Sequence, residues 1–278
     1  MLLRRLACCL LALVTGGIAL AQAQPGQAQG GTLPCVTVKA TKDPNVEKSY
    51  RAMVRGMDLF EQKKPRMAPG AQLRFRVLPR KPGVDLDNLS LYVFGDKAQI
   101  PLDVAPDKTF VLPRDAQALR ENAIVTPDRR ALTMTWRADV RTPGLPTGTR
   151  RLGDLRLECQ VGMEAGLVSN SPSWIVRLYD SLEMTPAYCE RRENKYLFFA
   201  DKPVFGVTLV AGNRREQLPV SRLWAGAFDD PHLREDLPYC DCERLVDRTY
   251  YVPLGDPAWP DDTLVQFDFM EDADAAAR

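Results

Sequence analysis

The chain has 278 residues, with 37 Lys and Arg against 36 Asp and Glu, a balance that excludes nucleic acid or a strongly anionic surface as the partner of the whole molecule. Hydrophobic residues make up 45%, enough to bury a sizeable core. The only histidine is His232, so a Ser-His-Asp or Cys-His system is excluded away from that residue, and a multi-histidine metal site is excluded altogether.

Met1 to Arg5 give a short basic start and Leu6 to Leu20 a mostly apolar run. Ala19-Leu20-Ala21 and Ala21-Gln22-Ala23 follow as small-x-small cleavage sites, so residues 1–23 are expected to be a signal peptide. Cys8 and Cys9 stand at the start of the run, whereas a lipid-acceptor cysteine would stand at its end. The run is shorter than the ~20 residues that span a bilayer, and no later stretch approaches that length. A periplasmic or secreted chain is therefore expected, with no transmembrane segment after processing. Without Arg4 and Arg5 the balance becomes 35 basic to 36 acidic residues. Residues 24–31, all Gln, Ala, Gly and Pro, read as a flexible leader.

Two units are expected next, 32–145 and 146–270, followed by a disordered tail at 271–278. In the first, Asp43-Pro44 opens a stretch with Val46, Tyr50, Met53, Val54, Met57 and Phe60 at the spacing of one helical face, ended by Lys63-Lys64-Pro65. The period then drops to two, and strands are predicted at 72–77, 90–94, 99–104 and 109–112. The Thr142 to Thr149 stretch, with four turn formers, marks the join. In the second unit Ser171-Pro172 opens a helix whose buried face is Trp174, Ile175, Leu178, Tyr179 and Leu182, stopped at Thr185-Pro186. Strands follow at 196–199, 206–210, 217–220, 249–252 and 263–269. Cys35 and Cys159 each lie in a strand-like run before a helix. Pro101 and Pro219 within strands mark edges or bulges.

The halves match in pattern. Val93-Phe94-Gly95 leading to Gln99-Ile100-Pro101-Leu102 parallels Val210-Ala211-Gly212 leading to Gln217-Leu218-Pro219-Val220. Thr109-Phe110 aligns with Thr249-Tyr250, in a register that continues to Val125 and Val265. The expected fold is β-rich α+β: two tandem β-sandwich-like units from an internal duplication, each with one amphipathic helix packed on it. The strand-turn-strand ending in Asp107-Lys108-Thr109-Phe110-Val111-Leu112 is similar to transthyretin-like or carboxypeptidase-regulatory modules, a resemblance that implies only a β-sandwich.

Five cysteines survive processing, Cys35, Cys159, Cys189, Cys240 and Cys242, and an exported compartment lets them oxidise. Cys159 and Cys189 bracket the expected 171–184 helix and are assigned a disulfide. Cys35 is the candidate partner of Cys240 or Cys242. The second unit also carries an insertion, 221–248, holding His232, Cys240, Asp241, Cys242, Trp224, Phe228 and Tyr239. Three readings of it compete: a thiophilic metal site of copper or zinc on His232, Cys240 and Cys242, a Cys-x-Cys redox pair, and a structural staple. Without the metal, no cofactor is expected.

Charge is uneven: arginines 129, 130, 137, 141, 150, 151 and 156 crowd the join, while acids crowd 227–247. Two solvated surfaces or complementary docking both account for this, and Arg150 and Arg151 with Trp224, Phe228 and Tyr239 form the candidate interaction surface. The functional expectation is an exported, non-catalytic binding protein whose partner is a protein or envelope component, with oligomeric state open. The rivals are a carboxylate-based hydrolase of the envelope, or a metal or thiol-redox protein using the insertion.

Overall fold

The computed structural model describes residues 46–80, 84–128, 133–168, 185–224 and 245–270, all within the unit Lys42–Arg278. In chain order the elements are β1 (Lys48–Ser49), α1 (Tyr50–Met67), β2 (Gln72–Pro79), β3 (Leu91–Phe94), β4 (Gln99–Leu102), β5 (Thr109–Phe110), α2 (Ala116–Arg120), β6 (Ile124–Pro127) and β7 (Met134–Arg141). There follow β8 (Thr149–Arg151), α3 (Leu152–Glu164), β9 (Phe198–Phe199), β10 (Val204–Ala211), β11 (Arg214–Gln217), β12 (Thr249–Tyr250) and β13 (Leu264–Phe269). Every ladder among the described residues is antiparallel, which places the chain in the β-rich α+β class.

Two four-stranded sheets run β1-β6-β3-β4 and β8-β13-β10-β11, and two smaller ones run β5-β2-β7 and β9-β12. Advancing each strand of the first half by seven gives the order in the second: 1-6-3-4 becomes 8-13-10-11, and 5-2 becomes 12-9. A helix follows the first strand of each half directly, α1 after β1 and α3 after β8. Strand β7 has no counterpart among the described residues. It pairs with all eight residues of β2, from Gln72 with Arg141 to Pro79 with Met134.

Helix α1 begins where Ser49 Oγ accepts from Ala52 N–H at 3.2 Å, an N-cap that satisfies a donor the helix itself cannot. The chain at 48–49 is strand, so the helix starts later than the apolar spacing predicts, and it runs through Pro65 to Met67. Proline removes one bond, to the carbonyl of residue 61. Glu61 is exposed, so water can serve that carbonyl, while Met67 and Ala68 are anchored by burial.

Helix α3 replaces the strand expected around Cys159. Almost all of it is buried, including Asp154, Glu158 and Gln160, and a helix buried all round carries no amphipathic stripe to betray it. It lies against α1 so closely that a Cβ on Gly56 would meet Ala165 Cβ at 2.9 Å and Val161 O at 3.2 Å. The 171–184 helix lies outside the described residues.

The first core is shared by α1, the inner faces of β2, β3, β5, β6 and β7, and Trp136. The second is shared by α3, β9, β10, β12 and β13. Phe60, Ala138, Val140, Leu157 and Val161 form a third cluster where α1, β7 and α3 meet. Phe110 and Tyr250 are both fully buried, and each stacks at 5.5 Å on an aromatic of the neighbouring strand, Phe75 and Phe198 respectively.

Pro101 lies in the edge strand β4. Pro219 lies past the end of β11, which occupies Arg214–Gln217 in place of 217–220. The reason is the tight Gly212-Asn213 turn, with Gly212 at φ 57°, which returns the chain at once so that Ala211 faces Arg214.

Candidate functional site

The residues of β2 and β7 alternate. Phe75, Val77, Trp136, Ala138 and Val140 enter the cores, and Arg74, Arg76, Arg137, Asp139 and Arg141 share the opposite face. That face is also covered. Arg137 Nη1 donates to Leu197 O at 2.9 Å, and its guanidinium lies 4.9 Å from the Phe199 ring. Asp139 Oδ2 accepts from Arg76 Nη2 at 2.8 Å and Oδ1 from Arg141 Nε at 2.7 Å. Arg141 then grips Asp201, beyond β9, with two bonds of 2.8 and 2.7 Å. Burial disfavours the Asp139 carboxylate, but the guanidiniums of Arg141, Arg76 and Arg150 overcome it and hold its pKa at about 2. Asp201 is likewise held below the usual carboxylate range against burial, by its bonds to Arg141.

Helix α3 closes the other edge of β7. Val140 N–H donates to Glu158 Oε2 at 2.9 Å, Arg150 Nη2 donates to Val140 O and to Glu158 Oε2, both at 2.6 Å, and Thr142 N–H donates to Asp154 Oδ2 at 2.8 Å. Asp154 and Glu158 are four residues apart on a helix, hence on one face, and they meet amides two residues apart on a strand. Two side chains thus take the place of a neighbouring strand, and satisfy groups that would be costly to leave unpaired in the interior. Burial pushes the Glu158 pKa up against the pull of Arg150.

Between the turns before β5 and β12 lies a cleft of about 440 Å³. The two turns that border it correspond in their backbone bonds. Lys108 N–H donates to Ala105 O at 2.8 Å and Arg248 N–H to Leu245 O at 2.9 Å, closing the two turns. Val77 N–H donates to Lys108 O and Ala200 N–H to Arg248 O, each at 2.8 Å. Asp107-Lys108 and Asp247-Arg248, the first two residues of the Asp-Lys/Arg-Thr-aromatic repeat, therefore flank the same cavity, with Leu78, Pro79, Leu86, Pro106 and Leu245 supplying apolar wall, while Thr109, Phe110, Thr249 and Tyr250 are buried behind them. Asp107 Oδ1 accepts from Thr109 N–H at 3.1 Å and Thr109 Oγ1 at 2.7 Å. Against the cost of burial, these bonds, with Arg76 and Arg74, keep the carboxyl below its usual range.

The structure moves several expected site residues. Arg150, expected on an interaction surface, is 5% exposed and turned inward onto Glu158. Arg137, Arg141 and Arg156 also point to internal partners, Arg156 to Asp261 at 2.6 Å, so these four arginines serve docking within the chain, while Arg129 and Arg130 lie outside the described residues. Among the described residues their acids are Asp139, Glu158, Asp201 and Asp261; residues 227–244 lie outside the described residues. Arg151 is half-buried in β8. Trp224 is half-buried, and its Nε1–H donates to Val204 O at 2.9 Å. Cys159 Sγ, in helix α3, is bonded to Cys189 Sγ in the Pro186–Glu190 3-10 turn. Cys35, Phe228, His232, Tyr239, Cys240 and Cys242 lie outside the described residues. Among the described residues, no group of three or more His, Cys, Asp or Glu could hold a metal ion, and no helix is long and apolar enough to cross a membrane.

Sequence reasoning missed β7 and the cleft. The signal for β7 was present, since Met134, Trp136, Ala138 and Val140 alternate with Thr135, Arg137, Asp139 and Arg141. The signal for the cleft was the Asp-Lys/Arg-Thr-aromatic repeat, visible as a pattern but mute about its convergence. No family model, curated protein or solved structure matches the chain.

Proposed function

We propose that the chain is an exported, non-catalytic binding protein, built as an internal duplication of one β-sandwich-like unit, and that its ligand site is the cleft flanked by the pairs Asp107-Lys108 and Asp247-Arg248. One observation carries this reading: an Asp followed by Lys or Arg, with matching turn and strand bonds, borders one cavity from both sides. A volume of about 440 Å³ lies within the range of small-molecule sites, roughly 300–1,000 Å³. Matching strand orders support the duplication. So does Lys48, which pairs with Val125 as Arg150 pairs with Val265 and is buried like it.

Binding is favoured over catalysis because Asp107, Asp139 and Asp201 are all held ionised by bonded partners, whereas a general acid needs a raised pKa. The basic start, apolar run and small-x-small sites support export to the periplasm or beyond, and the disulfide fits an oxidising compartment. Two measurements test the reading. N-terminal sequencing of the exported protein should begin at Gln22 or Gln24. Hydrogen exchange of the mature chain with and without envelope extract should show protection at residues 105–109 and 245–249; protection confined to other segments, the 221–248 insertion included, would move the site there.

A further inference from the structure

Resting on the cleft as the binding site, we infer that its ligand is a neutral polyhydroxylated molecule, a saccharide of one or two rings. The argument starts from which groups retain bonding capacity. Arg76 is spent on Asp139 and the Asp107 carbonyl, and Asp201 on Arg141. Four side chains remain. Asp107 uses one oxygen on Thr109, Lys108 makes one ion pair, to Asp87, and Arg248 makes one bond, from Nη1 to Asp201 O. Asp247 is exposed, with no hydrogen bond or ion pair among the described residues. Each half thus offers one carboxylate acceptor and one cationic donor on adjacent residues.

That arrangement discriminates between ligand classes. The lining carries three cations, Arg76, Lys108 and Arg248, and three carboxylates, Asp107, Asp201 and Asp247, so the cleft favours neither an anion nor a cation. A zwitterion needs the two signs segregated, since each of its charged ends would otherwise sit beside a like charge. Here each ammonium-binding carboxylate stands next to a cation. A vicinal diol uses both signs at once: one hydroxyl donates to the carboxylate while its neighbour accepts from the Lys or Arg, and both bonds are charge-assisted. Two such pairs face one cavity, and Leu78, Leu86, Pro106 and Leu245 provide apolar surface for C–H faces.

The test uses the full mature chain on an array of neutral mono- and disaccharides, with isothermal titration of each hit and of inorganic phosphate and glycylglycine as contrasting probes. At least one neutral glycan is expected to bind, and its Kd to rise about tenfold or more in Asp247→Asn and in Lys108→Gln. Circular dichroism melts of both variants should match the parent. Glycan binding unchanged in both variants would overturn the assignment to the cleft. A silent array would overturn the saccharide; if phosphate or glycylglycine then bound and was weakened in the variants, the cleft would stand as the site with another ligand class.

Discussion

The two halves share a strand order but differ in how the inner sheet is finished. In the first, β7 lays eight residues along β2, and its far edge is capped by Asp154, Glu158 and Arg150 of the second half. In the second, β9 is two residues long and, among the described residues, pairs with β12 alone, and the chain leading to it is tied to α3 by the Cys159–Cys189 bond. Among the described residues, the first half is closed by a strand and buried charge and the second by a covalent link. The difference teaches that the same strand order can be finished on its inner sheet by different chemistry in the two halves.

The largest effect should come from breaking the charged cap. Glu158→Ala leaves Arg150 buried without its carboxylate and Val140 N–H without an acceptor, a class of change that costs about 3–5 kcal/mol. Urea unfolding would measure it, and replacing both partners, Arg150→Met with Glu158→Met, should recover part of the loss, because an apolar pair leaves no charge stranded although the Val140 N–H and C=O still lose their partners. A loss under about 1 kcal/mol in the single variant would show that β7 needs no such cap.

Removing the covalent link should come next. The cysteines are 30 residues apart in sequence, and a loop of that length corresponds to about 3–4 kcal/mol in the chain-entropy account. Cys159→Ser with Cys189→Ser should lower the urea midpoint accordingly. Hydrogen exchange sharpens the comparison: protection should fall around α3 and β9 before it falls in the sheet of β1, β3, β4 and β6. Equal loss in both halves would mean that they unfold as one.

Acid should then weaken the first half's charged face. With Asp139 held at about 2 in the folded chain and a carboxyl near 3.9 when unfolded, the difference is about 2–3 kcal/mol. Because the folded value is the lower, this stability is complete above the unfolded pKa and drains away as pH falls through 4 towards 2. Asp139→Asn should flatten that part of the stability profile; an unchanged slope would remove Asp139 as its source.

Much of the strand content was legible because its period is local. Leu73, Phe75 and Val77 alternate with Gln72, Arg74 and Arg76, and that alternation survives in β2. The pairing of Phe110 with Tyr250 could likewise be read from motif spacing. Helix α3 could not be read as amphipathic, since Asp154, Glu158 and Gln160 are buried, the first two satisfied by amides at and just after the end of β7, a partner set by tertiary structure alone. Arg150 misled for the same reason: a charged residue in sequence says nothing about whether a carboxylate waits for it inside. The cleft depends on two turns 140 residues apart meeting, as Lys108 and Arg248 do, which no local pattern encodes.

The smallest effect tests how the inner sheet of one half is pinned to the other. Asp201 follows β9 and takes two bonds from Arg141 at the end of β7, while its backbone carbonyl accepts from Arg248 at 2.8 Å. Its side chain is 47% exposed, so solvent screens the pair, and Asp201→Asn should cost only about 0.5–1 kcal/mol. Arg141 keeps Asp139 in the variant, which limits the loss further. The effect on the cleft should exceed that on stability, because Asp201 holds the carbonyl that positions Arg248. If urea unfolding shifts by more than about 2 kcal/mol, Asp201 is a structural clamp between the halves and not a local pin at the cleft wall.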